Sequence, residues 1–372
     1  MLNSNNKPKL CYVLPDYRPK SHTHFAYLVD FVGEISNFFN TFLIIEKGER
    51  PRIDLGCQRV QVLWFQFFPL RWCELHCRLF YARLLGYKTF YVHYSFLSAF
   101  LSSLIARLVG GRTFYWNCGL PWQYKRNFLR ATFELITYRL ITFLVTGTEG
   151  LKKEYAQHYH LPLEKIKVMP NWINLEKVNS KQKLVNRTKL KIELKISENA
   201  KVILFAHRLS RRKGAHYLPE ILNKLRDENV VTVIIGDGPE KENIQLLITN
   251  YQLQDKVRFL GWIPNSELSG YYSIADVFIM PSEEEGFPHV LLEAMAVGTP
   301  FVAFDVGGVK EMLPPELLSY VVPLRNVDAF VAKIEETLRL SGDSYAKISE
   351  IEKKWVERYD IKKVARLFSS II

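Results

Sequence analysis

The chain has 372 residues, of which 48% are hydrophobic and 24% charged, with 50 Lys and Arg against 38 Asp and Glu. That length exceeds one ordinary core and points to two domains, and that balance excludes a disordered chain. No apolar run is long enough to cross a bilayer, and the start, MLNSNNKPKLCYVLPDY, passes from polar residues straight into a strand, unlike a signal peptide.

The charge is unevenly placed. Residues 1–180 hold 23 Lys and Arg and 12 Asp and Glu, a net +11, whereas residues 181–372 hold 27 and 26. A basic half beside a neutral one implies two domains with different partners, the first facing nucleic acid or an anionic membrane face. The cysteines at 11, 57, 73, 77 and 118 are scattered, and no second pair follows Cys73 and Cys77 at zinc-ligand spacing. Reduced thiols in a cytoplasmic protein are the expectation.

In chain order, KLCYVLP, TFLIIEK, VQVLWFQF, KTFYVHY and RTFYWNC read as strands, with HFAYLVDFVGEIS and FLSAFLSSLIARLVGG as helices among them. Two further stretches, RWCELHCRLFYARLLGYK and WQYKRNFLRATFELITYRLITFLV, read as helices that interleave cations with aromatics and suit the face of an anionic bilayer. Residues 175–199 are polar and Lys-rich and are read as a linker. After it, KVILFAHR, VVTVIIGDG, KVRFLGW, ADVFIMPS and TPFVAFD are strands, again spaced by helices, and KKWVERYDIKKVARLFSSII closes the chain as an amphipathic helix. Strand–helix alternation in both halves predicts two Rossmann-like parallel-sheet domains: residues 1–174 with a helix from about 355–372, and residues 200–354.

Ligands of such sheets bind beyond the carboxyl ends of the strands. The turn after KVILFAHR gathers Arg208, Arg211, Arg212 and Lys213, donors suited to a pyrophosphate. The next offers Gly236-Asp237-Gly238-Pro239, where glycines allow a close backbone approach. After ADVFIMPS comes EEEGFPHVLLEAMAVGTP, in which Pro288 opens a helix and Gly298 with Pro300 stops it. That helix is apolar on every side except at Glu293, and an ionised carboxylate there needs donors. No Lys or Arg lies within a turn, so the partner is either a distant residue or ligand hydroxyls such as a ribose diol. Gly307-Gly308 makes another bare turn. The sum reads as a nucleoside-diphosphate site with a sugar beside it.

At these residues the sequence resembles the retaining glycosyltransferases of family four. Glu285 to Glu293 is similar to that family's E-x7-E motif, Arg208 with Lys213 to its R-x4-K pair, Gly236–Pro239 to its GDGP turn and Val306–Val309 to its GG turn. Pro170-Asn171-Trp172-Ile173-Asn174 resembles the segment that closes the family's first domain, with Trp172 and Asn174 replacing Gly and Asp. The resemblance implies the GT-B fold, an α/β architecture of two Rossmann-like domains facing each other across a cleft. It implies that Glu293 holds the ribose, Glu285 the transferred sugar, and Arg208 and Lys213 the diphosphate. Gly236, Asp237, Gly286, Phe287, His289, Val290 and Leu291 complete the implied donor site. His93, in Tyr91-Val92-His93-Tyr94, falls where the family has a His beside the reacting sugar.

The first half departs from the family at two places. The turn from Asp16 to His24 lacks the usual glycine pair, and Cys118 stands where many members have His. His24, Asn117, Cys118 and Trp122 are the acceptor-side candidates. The implied reaction is transfer from a UDP- or GDP-sugar to a hydroxyl of a glycan or lipid-linked acceptor, in polysaccharide or glycolipid synthesis. It needs no metal or cofactor, since no D-x-D pair occurs. The implied location is the cytoplasm, peripheral at the inner face of the membrane. A sugar-nucleotide epimerase and a non-catalytic homologue are the rivals of the same fold. A nucleic-acid binder would lack any recognition motif.

Overall fold

The computed structural model describes residues 7–18, 25–182 and 187–372. The chain divides into two units, one made of Met1–Pro170 with Ile361–Ile372, the other of Asn171–Asp360.

The first unit holds a seven-stranded sheet in the order β3-β2-β1-β4-β5-β6-β7. Its strands are β1 (Lys9–Leu14), β2 (Asn40–Ile45), β3 (Arg59–Val62), β4 (Thr89–His93), β5 (Arg112–Trp116), β6 (Phe143–Thr146) and β7 (Ile166–Val168), all paired in parallel. The helices are α1 (Phe25–Ile35), α2 (Phe68–Leu84), α3 (Phe96–Val109), α4 (Phe128–Leu140) and α5 (Glu149–Tyr159). In β1 every residue after Lys9 is buried, the mark of a parallel strand covered on both faces.

In the second unit six parallel strands run β10-β9-β8-β11-β12-β13. They are β8 (Lys201–Ala206), β9 (Val230–Ile235), β10 (Val257–Gly261), β11 (Val277–Met280), β12 (Phe301–Phe304) and β13 (Val321–Val322). Around them lie α6 (Leu175–Gln182), α7 (Arg187–Glu193), α8 (Leu218–Lys224), α9 (Lys241–Asn250), α10 (Asn265–Ile274), α11 (His289–Val297), α12 (Val327–Leu338) and α13 (Gly342–Val356). The last helix, α14 (Ile361–Ile371), returns to the first unit and packs on α1. Its Phe368 stands edge-on to Phe31, Phe39 and Tyr91 at 5.5, 5.7 and 4.7 Å.

Four sequence expectations meet a different structure. The run VQVLWFQF is strand only to Val62, and Trp64, Phe65 and Phe67 lie exposed. The end of WQYKRNFLRATFELITYRLITFLV is not helix but β6. The segment 175–199 carries α6 and α7, which pack on α10 and α11. Asn174 caps α6 by accepting from Lys177 N at 2.9 Å, and Arg258 Nε donates to Leu194 O at 2.8 Å beyond α7. Polar composition there solvates an outer face, where a linker was expected. Finally, Asn171–Asn174 belongs to the second unit, because Ile173 N donates to Tyr359 O at 2.9 Å and Asn171 Nδ2 to Phe287 O at 2.6 Å.

Candidate functional site

The carboxyl ends of β8 and β11 bring together Glu285, Lys213 and His207. Glu285 is 5% exposed, and Lys213 Nζ lies 2.8 Å from its Oε2 and 3.3 Å from the carbonyl of Glu284. His207 Nε2 lies 3.3 Å from the other carboxylate oxygen. The Arg208 amide donates to His207 Nδ1 at 2.9 Å, so the ring proton sits on Nε2, the nitrogen on the Glu285 side. Burial alone would raise the Glu285 carboxyl. The Lys213 charge and the His207 ring N–H outweigh it and hold that carboxyl well under the usual range. Burial, reinforced by the Lys213 charge, lowers His207 and keeps it neutral.

Each neighbouring acid is also held. Glu284 pairs with Arg212 at 3.4 Å. Glu283 accepts from Tyr217 Oη at 2.6 Å and from Arg325 Nε at 2.9 Å. The loop is fixed from behind as well. Gly307 has φ +52°, and a Cβ there would stand 1.7 Å from the Glu285 carbonyl, so only glycine admits this approach. The bare turn thus receives backbone, whether or not a ligand also approaches it. At Gly236, φ +129°, a Cβ would stand 2.0 Å from the His207 carbonyl, again backbone against backbone.

Glu293 lies inside α11 at 7% exposure, and its neutral partner comes from α10: Tyr272 Oη donates to Oε2 at 3.0 Å. The same hydroxyl lies 3.2 Å from the Val290 carbonyl. Of the two partners left open by the sequence, a distant residue is therefore present. His289 and Val290 in the first turn are half-buried and Leu291 is fully buried. The first amides of a helix have no partner within it and favour an anion. Phe287 faces inward, its ring 5.3 Å from Tyr359, and Gly286 beside it is half-buried. Asp237 folds onto its own turn, accepting from Gly238 N at 2.7 Å and from Lys241 Nζ at 2.8 Å. Arg208 is exposed, and among the described residues its guanidinium has no ion-pair partner.

The remaining candidates belong to the first unit. His93 ends β4 at 1% exposure, its Nδ1 2.7 Å from Tyr12 Oη and its ring 5.1 Å from Trp116. The next residue, Tyr94, takes φ +52°, a strained backbone for a non-glycine residue. Asn117 is buried, donating to Tyr138 Oη at 3.1 Å and accepting from Gly119 N at 3.0 Å. Cys118 is buried beside it. Trp122 stacks on His158 at 4.4 Å and 16°. His24 lies outside the described residues.

Sequence reasoning missed His207, Tyr272, Glu283 and Arg325. His207 closes the strand-like run KVILFAHR at the mouth of the basic loop, which is signal enough to find it. Tyr272 and Arg325 carry none, because their partners are 21 and 42 residues away.

A family model described as "Glycosyl transferases group 1" matches residues 186–355. An uncharacterized glycosyltransferase of Methanocaldococcus jannaschii is 29% identical over 67% of this chain and 64% of its own length. WcaL of Escherichia coli, a glycosyltransferase named for colanic acid biosynthesis, is 31% identical over 42% of this chain and 40% of its own length. The matches thus span less than two thirds of these relatives. Among solved structures, Anabaena HepE in complex with UDP-glucose superposes with a TM-score of 0.80 at 17% identity, covering 98% of each chain. Residues 186–355 of this chain thus match the glycosyl transferases group 1 model, and the chain has the GT-B fold.

Proposed function

We propose that this protein transfers a sugar from a nucleoside diphosphate, UDP or GDP, to a hydroxyl of a glycan or lipid-linked acceptor, with retention of anomeric configuration. The observation that carries the reading is Glu285, an almost wholly buried carboxylate kept ionised by Lys213 at the strand ends of a group 1 domain. A buried ion pair of this kind is costly to build, and such perturbed groups cluster at functional sites. That HepE was solved with UDP-glucose supports a nucleotide-sugar donor here.

In this reading Glu293 receives ribose hydroxyls beside Tyr272, and the first turn of α11 receives phosphate oxygens. Arg208 and Lys213 take the charge that develops on the leaving diphosphate, the role a metal ion fills in other transferases. Glu285, already tied to Lys213, orients the sugar hydroxyls and does not attack carbon. The departing phosphate accepts the acceptor proton on the same face, which preserves configuration. His93 is assigned to the sugar side, and Asn117, Cys118 and Trp122 to the acceptor side. The surplus of cations in the first unit favours an acceptor carried at the anionic inner face of a membrane.

Thermal shift against a panel of UDP- and GDP-sugars is the first test, since a ligand bound to the native state raises the melting point by mass action. One donor should raise it and be hydrolysed slowly, and Glu285→Ala should lower turnover about 100-fold or more. No shift with any nucleotide sugar would remove the proposal.

A further inference from the structure

The stretch WFQFFPLRW, residues 64–72, reads as core, yet Trp64, Phe65, Phe67, Leu70 and Trp72 lie outside it. Trp64 is 78% exposed, Phe67 68% and Leu70 48%. The posture is built rather than loose. Glu74 Oε2 on α2 accepts from the amides of Trp64 and Phe65 at 2.8 and 3.1 Å. Arg78, paired with the same carboxylate at 3.4 Å, lies over the Trp64 ring at 5.2 Å.

Helix α2 continues this surface. Leu75, Leu79 and Ala82 are buried, while Leu70, Cys73, Cys77, Phe80 and Leu84, spaced by three or four residues, all face outward. A helix apolar on both sides is one that is covered on both sides, and an exposed apolar patch of this extent marks an interaction surface. Charge says what covers it. Residues 51–140, which contain α2 to α4, hold 12 Lys and Arg and 3 Asp and Glu. A second copy would bring the same surplus and be repelled, whereas an anionic lipid surface attracts it. Trp and Phe beside Arg is also the composition of an element lying in a bilayer interface.

We propose that residues 64–67 and the outer stripe of α2 dock the protein onto an anionic lipid bilayer, with Trp64, Phe67 and Leu84 in the acyl boundary and the surrounding cations at the headgroups. This rests on the reading of a membrane-borne acceptor and adds the element that makes contact.

The full chain, labelled at the exposed Cys73 and Cys77 with an environment-sensitive fluorophore, is sedimented with vesicles of phosphatidylcholine alone and with added phosphatidylglycerol. Binding to the anionic vesicles, a blue shift of the label and quenching by spin-labelled acyl chains are expected. The Trp64→Ser/Phe67→Ser double variant should lower the partition coefficient about tenfold or more, with melting point and donor hydrolysis without vesicles unchanged. Both side chains are largely exposed, and Ser is a favourable residue at the position preceding α2. Wild type bound with an unshifted label and an unaffected double variant would overturn this element while leaving the membrane reading standing. Wild type left in every supernatant would overturn both. Self-association by sedimentation velocity, abolished in the double variant, would assign the patch to a second copy and overturn the lipid proposal, leaving donor turnover to be judged on its own.

Discussion

At the scale of single residues, the second unit buries several carboxyls and treats them differently. Glu285 has a cation, Glu293 has a neutral hydroxyl, and Glu352 in α13 has neither. Among the described residues both oxygens of Glu352 lack a hydrogen-bond partner, and burial raises its carboxyl well above the usual value of 4.5. A carboxyl raised by folding contributes stability that is full below 4.5 and lost as pH rises through the folded value. Glu352→Gln removes that loss. Its melting point should exceed that of wild type at pH 8, and the gain should shrink toward pH 4; equal gains at both would show that charge is not the cause. Tyr272→Phe acts in the opposite sense by taking one donor from Glu293, and should cost about 1 kcal/mol at neutral pH. The cost should largely vanish when Glu293→Gln is added, a coupling that urea denaturation of the double-mutant cycle measures.

At the scale of elements, the acidic loop before α11 is held by its neighbours more than by itself. The turn at Gly307 reaches the Glu285 backbone so closely that any side chain must push the loop away. Gly307→Ala should destabilise the unit by about 1–3 kcal/mol. It should also weaken the proposed nucleotide-sugar binding, because the displaced element carries Glu285; calorimetry showing full affinity would mean that the loop tolerates the shift. This loop also marks how far sequence reads into structure. The strands of the second sheet announce themselves as unbroken apolar runs, and the turns after β8, β9 and β11 fall where their residues say. The hydrophobic run at 60–67 misleads because burial is inferred from composition, while its aromatics stand outside. The residues 175–199 mislead in the opposite direction, since short solvated helices need no apolar face. The partners Tyr272 and Arg325 stay hidden because nothing local encodes a contact set by topology. Glycines 236 and 307 are legible as special, but the reason differs: they admit other backbone as well as any ligand.

At the scale of the whole molecule, the first unit is assembled from two distant parts of the chain. Helix α14 is chemically part of the first unit although the preceding 190 residues, Asn171–Asp360, form the second. Phe368 is wholly buried among aromatic rings of β1, α1 and β4. Phe368→Ala should cost the first unit about 3–5 kcal/mol, so calorimetry should show one transition moving down while the other stays. A uniform shift of both would mean that the units melt together. No helix among the described residues is long and apolar enough to cross a membrane. During synthesis the first unit leaves the ribosome early but without the helix that covers Tyr12, Phe31 and Tyr91. It must wait, with that apolar face open, until Ile361–Ile371 has emerged. The later unit is thus complete before the earlier one, and a nascent chain stalled short of residue 361 would present a finished second unit tethered to an unfinished first one.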